Sequence, residues 1–544
     1  MSESFTGLGE QAPPRFYRVI KDFDEFQDEA SVTADICIVG AGAAGITIAR
    51  EFTNTRYTIV ILESGGIAPE TETQKLYETE IVGLPHTNFE EGRVRIFGGT
   101  TTLWGGQALR FDTLDFQKRS WVPYSGWPIS RQELDPYYER AERVLQTGAC
   151  LSYDNLCASS RVESPGFDPD QVGVECSQWS PRPNFGQEYR DELRRASNVS
   201  VVLHSNVTGI ITNQAATVVE HIEFQTLAGK KGIAKADFYI ICCGGIETAR
   251  LLLTSDRIES HGVGNRNDLV GRYYQEHPLI WFGELQTINR ERLQNLFESF
   301  YRRSLKYFPI LILSEQLQAE KQLLNIQGSF SFENVPGAPI TAMKSLYRAV
   351  ISKTYPGFSE LRRLLTSALS EPRELFGLAY RFYVQKRAGT PKRGRITFGA
   401  QSEMAPNPCS RIMLSENRDQ LGMRRIKLDW QMGELERRTA SEFVRTLACE
   451  FERLGLGTYD LRQAAALDGA EWVNLAHDSA HHMGTTRMHE TPQLGVVDPN
   501  CKVHGIANLF IGSSAVFPTS SRANPTLTIL ALCIRIADRL KQVA

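Results

Sequence analysis

Several features are missing from this chain, and each absence narrows what it can be. No run of about 18 apolar residues occurs, so no transmembrane helix is expected. Residues 1–30 carry Asp22, Asp24, Glu25, Asp28 and Glu29 but no apolar core and no Arg-Arg pair, so no secretory signal is expected there. The ten cysteines include no C-x-x-C pair, and Cys242-Cys243 sit in an apolar run. Reduced, mostly buried thiols of a cytoplasmic protein are the reading that follows. Charge of one sign is also lacking: the formal net charge is −3, which gives the whole molecule no nucleic-acid signature. Metal-ligand spacing is missing as well. His481 and His482 are adjacent, and positions i and i+1 cannot share one helical face, so no metal site is read from them.

What is present is ordinary globular material in quantity. At 544 residues and 42% hydrophobic, the chain can bury a large core, as several domains or as one interleaved pair. Residues 32–39 read as a buried strand. Gly40-Ala-Gly42-Ala-Ala44-Gly45 follows and opens a helix to about Asn54. A second strand, Tyr57 to Leu62, ends in Glu63, which is 23 residues after Gly40. Glycines at these positions permit a tight turn and close approach of the backbone to a pyrophosphate at a helix N-terminus, with the acid available to ribose hydroxyls. The motif points to a dinucleotide and does not separate FAD from NAD. Gly98-Gly99-Thr100-Thr-Thr-Leu103-Trp104-Gly105-Gly106 makes a loop that can lie close to a planar ligand.

Ser130-x-x-Glu133 matches a capping box, and Asp135-Pro136 offers a second helix start for Tyr137 to Leu145. Residues 146–198 are rich in Pro and Gly and read as irregular. Val201 to Val207, Thr208 to Thr212 and Val218 to Thr226 read as short strands. A buried strand, Asp237 to Cys243, leads through Gly244 into a helix. After His277-Pro278, alternating runs such as Leu279 to Leu285 and Leu323 to Phe332 suggest an antiparallel sheet. Residues 343–395 hold twelve Lys/Arg against Glu360, Glu371 and Glu374. Leu361, Leu364, Leu365, Ala368 and Leu369 recur there at helical spacing. Helices covering the sheet make such a stripe, and so does a surface meeting anionic lipid or substrate.

The end of the chain concentrates the candidate chemistry. His477, His481, His482, His489 and His504, five of the ten histidines, fall within 28 residues. Histidine suits proton transfer near neutrality. Leu509 to Ile511 reads as a short buried strand ending in the small residues Gly512 and Ser513. Asn524-Pro525-Thr526 then opens an apolar helix, with Asn at N-cap, Pro at the first helical position, and Leu527, Leu530, Ala531, Ile534, Ala537 and Leu540 on one face.

The dinucleotide motif ending in Glu63-Ser64-Gly65-Gly66, the Gly98–Gly106 loop, His481-x-Met-Gly484-Thr and the later Asn524-Pro-Thr-Leu-Thr occur in that order. Together they resemble the glucose–methanol–choline (GMC) family of FAD-dependent alcohol oxidoreductases, most closely the branch with pyranose oxidase and bacterial sugar dehydrogenases. The resemblance implies an α/β chain: a doubly wound, Rossmann-like FAD-binding domain interleaved with an α+β substrate domain built on an antiparallel sheet. The implied boundaries are an extension at 1–30, FAD-binding segments at 31–274 and 480–544, and a substrate domain at 275–479. By motif position it implies His481 as base and Asn524 as its partner. It also implies FAD contacts from Gly40, Gly42, Ala44, Gly45, Glu63, Ser64, Gly99, Thr100, Trp104, Gly105, Val207, Gly244, Gly512, Ser513, Pro525 and Thr526. Leu103 stands where pyranose oxidase carries its flavin-linking histidine, which implies non-covalent FAD.

The implied reaction passes the hydroxyl proton of a sugar, cyclitol, glycoside or similar polyol to His481 and a hydride to flavin N5, leaving a ketone or aldehyde. A dehydrogenase is implied rather than an oxidase, with a quinone, a redox protein or O2 taking the electrons. A lipid-linked or hydrophobic alcohol met at a membrane surface through 343–395 is the alternative. A nicotinamide enzyme with the same first motif, and a non-catalytic flavoprotein scaffold, are the competing readings.

Overall fold

Ala30–Val39 is the strand around which the first sheet assembles. Its residues Ile36 to Val39 are buried on both faces, which fits a central parallel strand with no solvent side. The structure, a computed structural model, describes residues 20–543 apart from 87–88, 150, 161–162, 288, 334–341, 343–344, 347–356, 391–393, 460–466 and 470–471. On one side Ala30–Val39 pairs in parallel with Ile59–Leu62, beyond which lie Val199–Leu203 and Ile20–Asp22. On the other side it pairs in parallel with Lys231–Ile241. That strand is 11 residues long and holds two further partners. Its first half pairs antiparallel with Val219–Gln225, and its last three residues pair in parallel with Leu509–Ile511. The C-terminal segment therefore re-enters the middle of the sheet, where the Gly512 N–H reaches the Ile241 carbonyl at 2.9 Å.

Helix Thr526–Val543 closes this unit against helices Ala43–Glu51 and Arg131–Leu145. Leu527, Leu530, Ala531, Ile534, Ala537 and Leu540 are all buried, as their spacing requires. Fully burying a leucine or isoleucine contributes roughly 1.5–3 kcal/mol, so this face alone would anchor the chain's end.

The second sheet is antiparallel. Its order is Thr458–Tyr459, Leu279–Gln286, Ile396–Ser402, Ile326–Phe332, Leu305–Leu313, Val172–Trp179 and Gln107–Ala108. Helix Glu434–Arg453 covers it, with Phe443, Leu447 and Phe451 packed on Phe330 and Phe398. A small third sheet joins Thr79–Ile81 to Arg424–Asp429 and Arg411–Arg418.

Several expectations from sequence need correction. The stretch 146–198 is not irregular. Val172–Trp179 within it pairs along its whole length with Leu305–Leu313 of the second sheet. Its polar residues hid the pattern, because Glu175 is answered across space by buried Arg522, at 2.8 Å. Arg131–Leu145 is one helix, not two. Ser130 and Glu133 form the capping box, and Pro136 sits within the helix. The expected strand Val201 to Val207 is broken by a turn at His204 (φ 54°), which places Val207 in the next strand, Asn206–Thr212.

In the basic segment, helices Phe358–Leu369 and Pro372–Tyr383 are described. Of the stripe expected along the first, Leu361 and Leu364 are half-buried and Leu365 is exposed, and the side chains of Ala368 and Leu369 lie outside the description. Not all the charge is at the surface, since Arg381 is buried in an ion pair with Glu298 at 2.5 Å. Lys344, Arg348, Lys353, Lys392 and Arg393 lie outside the described residues.

Candidate active site

A cavity of about 480 Å³ runs from the first glycine turn to the C-terminal histidines. Gly40, Gly42, Ala44, Glu63, Ser64, Gly99, Thr100, Trp104, Val207, Gly244, His481, Ser513, Pro525 and Thr526 line it. Backbone requirements explain the key glycines. Gly40 has φ 101°, and a Cβ there would stand 2.7 Å from the Cys242 carbonyl oxygen. At Gly244, φ is 72° and the space beside it is open, so bare backbone faces the cavity. Three expected contacts stand behind the wall instead. A Cβ at Gly45 would strike the Gly40 carbonyl, one at Gly105 would meet the Trp179 ring, and one at Gly512 would crowd Cys242 and Ile48. These glycines let neighbouring elements approach one another.

The Glu63 carboxylate ties two loops together. Oε2 accepts the Ala41 N–H at 2.7 Å and Oε1 the Gly65 N–H at 2.9 Å, and burial raises its pKa. Each oxygen keeps a lone pair for a further donor. Arg95 donates to Ser64 Oγ (2.8 Å) and pairs with Glu247 (2.7 Å), and with Arg93 it brings cations to this end of the cavity. The cluster was not singled out from sequence, although Arg93-Val-Arg95 directly precedes the Gly98 loop.

At the other end a backbone bridge assembles the histidines. Met483 and Gln275 exchange N–H···O bonds of 2.9 and 3.0 Å, although far apart in sequence. Gly484 makes the following bend with φ 85°, and a side chain there would collide with the Tyr273 carbonyl. The bridge lays His277 beside His481, with their Nδ1 atoms 3.0 Å apart.

The tautomers follow from the partners. His277 Nε2 lies 3.0 Å from the Ser520 carbonyl, which can only accept, so Nε2 carries the proton. Burial lowers the pKa of His277, which keeps it neutral, so its Nδ1 is an acceptor. His481 Nδ1 must then donate, to His277 and towards Ser479 Oγ at 3.1 Å. That leaves His481 Nε2 bare, with the Asn524 amide nitrogen 3.4 Å from it. Burial first, then the neighbouring His277, lowers the His481 pKa to about 3, with Glu276 opposing. The imidazole is thus neutral and able to accept a proton at Nε2.

Asn524 is not the helix cap expected from sequence. The first helical bond runs from the Ile529 N–H to the Pro525 carbonyl (2.9 Å), so Pro525 occupies the cap and Thr526 begins the helix. Proline has no N–H to lose there, and Asn524, one residue earlier, turns its amide to His481.

Glu276 underlies the histidine segment. Its Oε1 accepts from the N–H groups of His277 (2.9 Å) and His481 (2.7 Å) and from Ser479 Oγ (2.9 Å). Burial pushes its pKa upward, yet the facing His86 and the other surrounding histidines hold it well below the usual carboxylate range. Neither Glu276 nor His277 was marked from sequence, because their roles depend on the long-range bridge.

Comparison with known proteins bears on the fold and the class. Residues 35–263 match the model for FAD dependent oxidoreductases, which defines the class. Residues 406–533 match the GMC oxidoreductase model, so the chain carries a GMC oxidoreductase C-terminal domain beside an FAD dependent oxidoreductase domain. GMC oxidoreductases act on CH–OH donors. Among relatives, the fructose dehydrogenase large subunit of Gluconobacter japonicus is 23% identical, over 94% of this chain and 98% of that protein. The 2-methyl-1,2-propanediol dehydrogenase of Mycolicibacterium austroafricanum is also 23% identical, over 93% of this chain and 95% of its own length. The formate oxidase of Aspergillus oryzae shares the fold, with a TM-score of 0.56 at 18% identity, covering 95% of this chain and 99% of that one.

Proposed function

We propose that this enzyme oxidises a secondary or primary CH–OH group of a sugar, cyclitol, glycoside or similar polyol to the ketone or aldehyde, with His481 as general base. The observation that carries this reading is the proton-free Nε2 of His481, a residue of the cavity wall, 3.4 Å from the Asn524 amide nitrogen. An alcohol placed there gives its hydroxyl proton to Nε2, while Asn524 donates to the same oxygen and fixes its orientation. His277 and Ser479 hold the imidazole in the required tautomer. FAD, when bound, supplies the hydride acceptor.

The residues present suit FAD. The helix opening after Gly42 offers backbone N–H groups to a pyrophosphate, and Glu63 offers carboxylate oxygens to a ribose. The N-terminus of helix Thr526–Val543 brings a positive dipole end to the far side. Leu103, on the cavity wall, cannot form the link a histidine makes, so FAD is held non-covalently. Acid precipitation should release all the flavin to the supernatant, and colour kept in the pellet would refute that point. Anaerobic bleaching of the bound flavin across a panel of sugars, cyclitols, glycosides and lipid alcohols tests the function. Failure of every alcohol to bleach it would refute the reading. Reoxidation by a quinone, a redox protein or O2 then identifies the acceptor class, and we expect a dehydrogenase.

A second reading has its own observation. Phe376 is 75% and Tyr383 71% exposed, beside Arg373 and Lys386. Exposed aromatics among basic residues suit peripheral contact with an anionic membrane, where a lipid-linked alcohol would be met. Among the described residues no helix is long and apolar enough to cross a membrane.

A further inference from the structure

We propose that His86, Glu276 and His482 form a buried divalent-cation site directly behind His481, suited to zinc. The adjacent histidines of the C-terminal motif divide their work. Both residues border the cavity, but His481 Nε2 meets the Asn524 amide and His482 Nε2 is turned to Glu276. Sequence spacing gave no metal site because the other two ligands come from distant segments.

Distances carry the first argument. His86 Nε2 and His482 Nε2 lie 3.5 and 3.6 Å from Glu276 Oε2, and all three atoms lie within 4.8 Å of one another. These separations are too long for good hydrogen bonds. They match the spacing of donors around one ion, since bonds of about 2.0–2.2 Å at tetrahedral to trigonal angles put neighbouring ligands about 3.3–3.7 Å apart.

Unmet hydrogen bonding carries the second. Among the described residues, Glu276 Oε2 and His482 Nε2 are buried without a hydrogen-bond partner, a state that native structures seldom leave. The two oxygens of Glu276 differ sharply. Oε1 takes three donors from residues 277, 479 and 481, whereas Oε2 is turned to the His86 and His482 imidazoles. Among the described residues Glu276 forms ion pairs with His86 and His482 and with no lysine or arginine, and its side chain is 0% exposed. A carboxylate buried with no lysine or arginine beside it is costly, and a bound dication removes that cost.

The surroundings suit an ion. His86 Nδ1 lies 3.3 Å from Asp478 Oδ2, the carboxylate–histidine pairing that orients metal ligands. The Tyr274 hydroxyl, 3.1 Å from His86 Nε2, provides an oxygen for the fourth position. Phe89 and Trp430 pack on the His86 ring at 4.9 and 5.4 Å and keep the site dry. Two imidazoles and a carboxylate favour a borderline first-row dication. Because Glu276 also holds the His481 and His277 N–H groups, the ion would act structurally, fixing the segment that carries His481.

Tag-free holoenzyme purified without chelators should contain one zinc per chain by plasma mass spectrometry. After stripping with dipicolinate it should take up one Zn2+ or Co2+, with Co2+ giving the visible bands of a four-coordinate site. Zinc absorption fine structure on the wild type should show two imidazoles with oxygen donors. H86Q and H482Q should lose the ion while keeping FAD. A metal-free protein that takes up neither ion overturns the proposal, as does sulfur in the zinc shell or an FAD-loaded H86Q that keeps the full complement. These readouts need no substrate, so they stand apart from the function proposed above.

Discussion

Replacing His277 with leucine tests the tautomer chain that makes His481 a base. Leucine keeps the buried volume roughly but removes the Nδ1 acceptor 3.0 Å from His481. The Ser479 hydroxyl, at 3.1 Å, remains as the only listener for the His481 Nδ1–H among the contacts described. Losing a partner for a buried N–H costs about 1–3 kcal/mol. At 1.4 kcal/mol per tenfold that is about 5- to 150-fold in the weight of the reactive tautomer. With Ser479 still able to accept, the lower half applies, and we expect flavin reduction to slow by about tenfold.

His277 does not line the cavity, so substrate affinity should change little. The assay is anaerobic stopped-flow reduction of the bound flavin, with the best alcohol from the panel, separating the limiting rate from the half-saturating concentration. H277Q, whose amide oxygen can accept from His481, should recover part of the loss. In a His481→Ala background, H277L should cost nothing more, because its effect passes through that imidazole. An unchanged limiting rate in H277L, or a loss confined to affinity, would refute the reasoning.

Other outcomes follow from the same geometry. His481→Ala should lower the flavin-reduction rate by about 10²–10⁴-fold with FAD retained, and His482→Ala by less; the reverse order in stopped-flow would move the base to His482. Asn524→Ala should cost about 10²-fold in that rate and Asn524→Asp more, since Asp sets an anion beside a developing alkoxide. As Pro525 holds the cap, both should melt near the wild-type temperature, and a large drop in melting temperature would return Asn524 to a capping role. His204 pairs with Asp22 (2.6 Å) and Glu70 (2.8 Å); burial lowers its pKa, but these carboxylates raise it overall above 6.5. Its stabilisation is therefore complete below about pH 6.5 and fades as pH rises through the elevated folded value. Melting temperature against pH should show that loss in the wild type and not in His204→Gln. Binding to anionic vesicles by co-sedimentation should be strong at about 50 mM salt and weak at about 300 mM, and Arg362, Arg363 and Lys386 changed to Gln should weaken it; no binding at low salt would remove the membrane reading.

The parts of this site that were legible in the sequence are those whose physics is local. Gly40 to Gly45 announce themselves because a tight turn needs glycine where no side chain fits, and the acid after the next strand falls at a fixed reach. Leu509 to Ile511 reads correctly because three apolar residues bounded by Asn508 and Gly512 have few other places to go. Asn524-Pro525 was legible as a helix start but one residue out, because proline satisfies the cap and the first turn alike, and only the Ile529 bond separates them. Polar residues within a strand were harder. Val172–Trp179 carries Glu175 and Gln178 because Arg522 and the Ala149 carbonyl meet them from elsewhere. Hydrophobic alternation cannot show a charge whose compensation lies far along the chain.

The reactive centre is the extreme case of that limit. His481 has a recognisable neighbourhood, but what makes it a base is a proton held on Nδ1 by His277, itself committed by the Ser520 carbonyl. None of the three is near another in sequence. They meet because Met483 and Gln275 pair as an antiparallel bridge, and the same bridge brings Glu276 and His482 face to face. One short backbone contact therefore orders both the lone pair facing the cavity and the cluster of buried ligands behind it. A substitution that breaks the bridge, such as Gly484→Ala with its collision against the Tyr273 carbonyl, should impair proton acceptance and ion binding together. Substitution of His277 or His86 should separate them.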